Sequence, residues 1–198
     1  MAKMRLFLRE STVGREPLAV SMSSVKAGER VLQIGGGDPR IAHAIASKAG
    51  LTGLAIVVVP NEADANRVRA FTGEGASSAE VRVEGLDRLP FENDAYDVIV
   101  VHNVEGLLAG LERTVRERAL HECLRVLRPG GRALVLDAGK PTAIRAMFGG
   151  APKRDAAYEA GGSTTGALQS AGFTAVRLLG DREGYRFVEG IKPRQGSN

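Results

Sequence analysis

In VLQIGGGDPR, residues 31–40, a largely apolar run leads into three consecutive glycines, Gly35, Gly36 and Gly37, and then into Asp38-Pro39. Asp38 is a good helix N-cap and Pro39 a good first helical residue, so the stretch reads as strand, tight turn and helix start. Glycines at such a turn let the backbone approach a bound molecule closely, and the helix N-terminus beyond them favours polar, nucleotide-like ligands. A second apolar run, DVIVVHN, ends in His102 and Asn103. An imidazole titrates near neutral pH and can remove a proton from a substrate, which makes His102 the candidate catalytic residue, a general base. The same position equally suits a polar residue closing a buried strand. Two other ligand classes fit less well. A dinucleotide fingerprint wants a third glycine at position 40, where Arg40 stands, and no Gly-Lys-Ser or Gly-Lys-Thr of a phosphate-binding loop is present.

The rest of the composition narrows the chemistry. The single cysteine, Cys123, excludes an internal disulfide and a thiolate metal cluster, and His43, His102 and His121 lack ligand spacing, so no metal site is expected. At 198 residues and 43% hydrophobic, the chain suits one domain, 1–198, with a core of about 28–191 and a short N-terminal cap, 1–27. MAKMRLFLREST carries only a short apolar run broken by Arg5 and Arg9. It fails as a signal peptide, nothing downstream is long enough to span a bilayer, and a cytoplasmic protein is expected. The net charge of +4 and isoelectric point near 9.5 admit an acidic partner. Lysine and arginine are nevertheless interleaved with glutamate and aspartate, and aromatics are only 5%, so a solvated mixed surface is expected and not a nucleic-acid face.

The elements that must position these residues alternate. Apolar runs at Arg30–Ile34, Leu54–Val59, Val81–Val83, Tyr96–Val101 and Arg132–Asp137 are separated by helical stretches at Ile41–Ala49, Asn61–Phe71 and Leu111–Leu127. This pattern predicts an α/β fold: a Rossmann-like, doubly wound, mostly parallel sheet with helices on both faces. RPGG at 128–131 stops the long helix. A Gly-, Ala- and charge-rich stretch follows, with 138–162 the candidate lid, and a short helix is expected at Thr164–Ala171. Phe173–Leu179 and Tyr185–Ile191, joined by GDREG, predict a closing antiparallel hairpin, and the KPRQGSN tail is expected to fray.

VLQIGGG, LPFENDAYDVIVVHNVEGLL and ECLRVLRPGGRALVLD, in this order and spacing, resemble the class I S-adenosylmethionine-dependent methyltransferases. The likeness is to the methyltransferase type 11-like group that includes quinone-biosynthesis enzymes, and it covers roughly residues 28–190. It implies a seven-stranded sheet, S-adenosylmethionine as cofactor, and methyl transfer to a small molecule or an exposed side chain. It also implies ligand contacts at definite points, where this sequence departs from the pattern. The family's loop reads acid, any, Gly, any, Gly, any, Gly; here the acid is Gln33, the first two glycines are Gly35 and Gly37, and the last is Pro39. The carboxylate ending the second strand, which takes both ribose hydroxyls, is Val59, with Asn61 and Glu62 just beyond as candidate substitutes. The aspartate at the adenine amino group is Gly85, with Asp87 two residues on. The expected cofactor-binding residues are therefore Gln33, Gly35, Gly36, Gly37, Asn61 and Asp87, with a small-molecule acceptor near His102. Asn61 and Glu62 read as well as a helix cap and a first-turn acid, and Asp87 as an exposed loop acid. Asp97 matches the family but starts its strand, opposite the ligand end, so a structural role is expected. The three lost contacts, Gln33, Val59 and Gly85, favour a rival of another class: a non-catalytic binding or scaffold protein on the same fold, a pseudoenzyme. An RNA-directed enzyme rests on the isoelectric point alone.

Overall fold

Strands β1 (Arg30–Ile34), β2 (Leu54–Val59), β3 (Glu80–Val83), β4 (Tyr96–Asn103), β5 (Leu127–Ala138), β6 (Thr174–Arg182) and β7 (Tyr185–Ile191) make one seven-stranded sheet in the order β3-β2-β1-β4-β5-β7-β6. The computed structural model describes residues 16–71, 79–139 and 156–194. The first five strands run parallel, and β7 runs antiparallel to both β5 and β6. The unalternated runs LAIVVV and DVIVV fall in the middle of this sheet because both of its faces are covered. Helices α1 (Leu18–Ser23), α2 (Pro39–Ala49) and α3 (Glu62–Arg69) pack on Val31, Val57, Val59, Val98 and Val100. Helices α4 (Leu107–Gly110), α5 (Arg113–Val126), α6 (Ala156–Ala160) and α7 (Ser163–Ser170) pack on Leu32, Ile34, Ile56, Val58, Ile99 and Val101.

Strand order reverses between β1 and β4, whose ends lie side by side with Gln33 opposite Val100 and Ile34 opposite Val101. Such a reversal opens a crevice at the carboxyl ends of the strands, and the glycine turn lies there. Asp97 lies at the other end of the sheet. Its carboxylate accepts from the Arg30 N–H at 2.8 Å and pairs with Arg128, tying β1, β4 and the start of β5 together.

Several boundaries differ from the sequence expectation. RPGG lies within β5: the strand starts at Leu127 opposite Tyr96, then skips so that Arg132 faces Val98. The extra residues bulge toward β7, where Gly130 N–H donates to the Lys192 carbonyl at 3.0 Å and Lys192 N–H to the Gly131 carbonyl at 2.9 Å. The closing hairpin turns on two residues, Glu183 and Gly184, both at positive φ, so Gly180–Arg182 belong to β6 and not to a five-residue loop. The helix expected from Leu111 begins at Arg113, after the one-turn α4. Of the expected cap and lid, residues 1–15 and 140–155 lie outside the described residues, as do tail residues 195–198. The described end of the lid segment is docked, with Tyr158 of α6 buried against α5 and α7.

Candidate functional site

The turn after β1 is held by its own backbone and by three neighbours. Gly35 N–H donates to the Val58 carbonyl at 2.7 Å, and Gly35 and Gly37 take φ of +85° and +45°, which a residue with a Cβ adopts only with strain. Space is as restrictive as conformation. A Cβ at Gly35 would stand 2.9 Å from Leu107 Cδ2, one at Gly36 3.2 Å from Val68 Cγ2, and one at Gly37 2.7 Å from His102 Nδ1. The glycines thus let α4, α3 and β4 close on the turn. Asp38 caps α2 by accepting from the Arg40 N–H at 2.9 Å, and its pairing with the Arg40 guanidinium holds its carboxyl below the usual range.

Two cavities meet at this turn, and Gly37, Arg67, His102 and Glu105 line both. The smaller, about 310 Å³, runs between Gly35–Gly37, Pro60, Leu107 and Leu111. The larger, about 460 Å³, is walled by Ile41, Phe71, Val104, Leu136 and Tyr185, with Asp38 and Arg40 at its rim. Arg67 of α3 spans the junction, 2.8 Å from Asp64 and 3.6 Å from Glu105 of the β4–α4 loop. These volumes and their mixed apolar and charged linings suit an elongated small molecule.

His102 is 4% exposed, and its Nε2 stands 2.8 Å from Gln33 Oε1. Gln33 is fully buried and donates from Nε2 to the Ala42 carbonyl at 2.8 Å. Burial pushes the imidazole down to about 4, with Asp38 pulling weakly the other way, so His102 is neutral at physiological pH. Its neighbour Asn103 is structural. The side-chain oxygen accepts from the Leu108 N–H at 2.6 Å, and Nδ2 donates to Asp137 at 3.2 Å. Asp137 in turn accepts from the Thr164 hydroxyl at 2.6 Å, and Thr164 is 2.8 Å from the Tyr158 hydroxyl, which burial pushes up to about 12. This chain fastens α4, α6 and α7 to the carboxyl ends of β4 and β5.

The structure brings together Gly35, Gly36, Gly37, Gln33 and His102, but Gln33 faces His102 and Ala42 rather than a cavity. Asn61 is the N-cap of α3, accepting from the Asp64 N–H at 2.9 Å. Asp87 stands apart, paired with Arg118 of α5 at 3.1 Å. Val59 is fully buried among Ala46, Val57, Ala65, Val68 and Ala79 and points into the core. Sequence reasoning missed Arg67, Glu105, Phe71 and Tyr185, which reach the two cavities from three separate segments: α3 and its end, the β4–α4 loop and the start of β7. Only Glu105, three residues past His102, carried a positional signal. Among the described residues, no cluster of three or more His, Cys, Asp or Glu could hold a metal ion, and no helix is long and apolar enough to cross a membrane.

Residues 31–131, about half of the chain, match the family described as methyltransferase domain. The ubiquinone/menaquinone biosynthesis C-methyltransferase UbiE of Pseudomonas fluorescens (strain Pf0-1) is 34% identical over 127 residues, 63% of this chain and 47% of that protein. The protein of the same name from Ectopseudomonas mendocina (strain ymp) is 34% identical over 125 residues, 62% of this chain and 46% of that one. The chain spans about half the length of the curated relatives it matches. In fold, it is similar to a SAM dependent methyltransferase from Aquifex aeolicus, with a TM-score of 0.66 at 20% identity over 87% of each chain. It is also similar to the [4+2]-cyclase SpnF, with a TM-score of 0.63 at 18% identity over 90% of this chain and 79% of the other.

Proposed function

The chain belongs to the methyltransferase domain family, and from that premise we propose that it transfers a methyl group from S-adenosylmethionine to a small molecule seated in the larger cavity. The observation that carries this reading is the junction itself: two cavities meeting over a positive-φ glycine turn at the strand-order reversal. The residues present fit the donor. Pro60, Leu107 and Leu111 offer apolar walls for an adenine, and Asp64 and Glu105 offer carboxylates for ribose hydroxyls or an ammonium, in place of the carboxylate missing at Val59. Arg67 offers a cation for the donor's carboxylate, and the Gly35–Gly37 backbone forms the wall of the cavity along which the donor's chain would lie.

When bound, the donor supplies an activated methyl on a sulfonium, so the chain's own task is alignment more than acid–base work. Ile41, Phe71, Val104, Leu136 and Tyr185 give the larger cavity apolar walls suited to a flat, apolar acceptor. The relatives named for ubiquinone and menaquinone biosynthesis support an aromatic, quinone-precursor type of acceptor. His102, neutral and at the junction, is the group available to receive a proton from that acceptor. Cysteine chemistry plays no part, since Cys123 is buried and burial pushes its thiol up to about 12.

The test is calorimetric titration with S-adenosylmethionine and S-adenosylhomocysteine, followed by transfer of labelled methyl to a panel of phenolic and hydroquinone acceptors. Saturable binding and label in a small-molecule product are expected. No binding of either ligand at millimolar concentration would overturn the reading and leave a non-catalytic member of the fold.

A further inference from the structure

Gln33 stands where the family's loop carries an acid, and the surroundings explain the exchange. Its side chain is clamped between two groups, the Ala42 carbonyl at 2.8 Å and the His102 ring at 2.8 Å, with no exposure to solvent. A carbonyl oxygen only accepts, so the Gln33 NH2 must face Ala42. The remaining Gln33 oxygen also only accepts, so the His102 Nε2 facing it must carry a hydrogen. A neutral imidazole holds one ring proton, and Nδ1 is left bare. An acid at position 33 would set an unprotonated oxygen against the Ala42 carbonyl oxygen, a repulsive contact in a buried place. The amide is the side chain that satisfies both neighbours at once.

We propose that Gln33 is a positioning residue: through the Ala42 carbonyl it fixes His102 as the Nε2–H tautomer and turns Nδ1 to the cavity junction as a proton acceptor. The geometry agrees, since Nδ1 is the ring atom nearest to where a Gly37 Cβ would stand, and Gly37 and His102 both line the two cavities. The inference deepens the methyl-transfer reading and rests on it for its chemical consequence, which is that the acceptor carries a proton on or beside the atom that takes the methyl. In the balanced step, the acceptor atom bonds the methyl as the sulfonium carbon–sulfur bond breaks. The sulfur keeps the electron pair, and the acceptor's proton passes to Nδ1, while Nε2–H stays on Gln33. The resulting imidazolium then releases the proton to solvent. A weak base suffices, because a freshly methylated oxygen or ring carbon is far more acidic than an imidazolium. Acceptors without such a proton, a thioether or a tertiary amine, gain nothing from this arrangement. The charged groups around the ring are Asp38 at the start of α2, Arg40 two residues on, Arg67 with Asp64 on α3, and Glu105 after β4.

The test reads the ring itself and needs no acceptor. Long-range proton–nitrogen correlation spectra of the nitrogen-15-labelled free protein report the tautomer of each histidine, with His102 assigned by loss of its signals in His102→Gln. The expected result is a single Nε2–H form for His102, unchanged from pH 8 to pH 5.5, and a mixed or inverted tautomer in Gln33→Leu. Gln33→Glu should raise the pH at which the ring titrates by at least one unit, and wild-type methyl transfer should show no acid limb above pH 5. An Nδ1–H form in the wild type would overturn the proposal, and so would an unchanged tautomer in folded Gln33→Leu. If Gln33→Leu does not fold, the wild-type spectrum and Gln33→Glu decide. The calorimetric titration with S-adenosylhomocysteine fails or succeeds separately, so loss of the methyl-transfer reading is distinguishable from loss of this one.

Discussion

Placing aspartate at position 59, to restore the family's carboxylate, should destabilise the fold and not repair donor binding. Val59 ends β2 with its side chain fully buried among Ala46, Val57, Ala65, Val68 and Ala79, and its Cγ1 is 3.7 Å from where a Gly36 Cβ would stand. Val59→Asp loses the burial of a valine, about 1.5 to 3 kcal/mol. It also leaves a carboxylate without a partner in an apolar cluster, which costs several kcal/mol more unless the group protonates. A total of about 4 kcal/mol is a large part of the roughly 5 to 15 kcal/mol expected of such a domain. Burial raises the aspartate's folded pKa above its unfolded value of about 3.9, so relative stability is present at low pH and lost as pH rises through the folded value. Urea unfolding of Val59→Asp and Val59→Asn at pH 5 and pH 8 measures both effects. The aspartate variant should lose about 1 M or more in midpoint at pH 8, less at pH 5, with the asparagine variant showing little pH dependence. A Val59→Asp protein as stable as wild type at pH 8, with tighter S-adenosylhomocysteine binding, would refute the placement of this side chain in the core.

Gly37→Ala places a Cβ 2.7 Å from His102 Nδ1 at a φ of +45°, so it should cost about 1 to 3 kcal/mol and abolish donor binding; unchanged calorimetry in a folded variant would move the site elsewhere. Asn103→Ala strands the Leu108 N–H and removes a partner of Asp137, an expected loss of about 1 to 3 kcal/mol, checked by thermal melting together with local amide exchange in α4. His102 titrates at about 4 in the fold against about 6.5 unfolded. Its depressed value gives stability that is present above pH 6.5 and lost as pH falls toward 4, on the order of 3 kcal/mol. His102→Gln should flatten the stability profile across that range, and a profile identical to wild type would show that the imidazole is not buried as described.

The repeating apolar runs made the sheet legible, because strands covered on both faces need unbroken apolar residues and helices between them need a helical period. Asp38-Pro39 marked the start of α2 for the same local reason. What the sequence left hidden was long-range. Whether Gln33 met a ligand, a carbonyl or a ring depended on Ala42, nine residues on, and His102, sixty-nine residues away. Asn61 and Asp87 each had two readings, and only the Asp64 N–H and the Arg118 guanidinium distinguish a cap and a surface ion pair. Arg67 was an ordinary charge on the solvent face of α3 until Glu105 came across the turn to meet it. The RPGG stretch was misplaced for a similar reason, since its bulge is paid for by hydrogen bonds to Lys192, which no local pattern announces.

The glycine turn bears on function less directly than its pattern implies. Leu107, Val68 and His102 each approach within 3.2 Å of a missing Cβ, so packing together with positive φ favours glycine at 35 and 37, and packing crowds position 36, whether or not a ligand is held. Retained glycines therefore do not separate an enzyme from a scaffold built on the same fold. The polar groups separate them better. A scaffold gains from satisfying every buried polar atom, as the chain from Asn103 through Asp137 to Thr164 does. At the junction the pattern differs: the Gln33 clamp satisfies only one His102 nitrogen, and the other faces a cavity lined by apolar side chains and by the charged Asp38, Arg40, Arg67 and Glu105. A ring that receives a proton has to present a bare nitrogen to the space its substrate enters, and the tautomer of His102 therefore bears on the enzyme reading more directly than the glycines do.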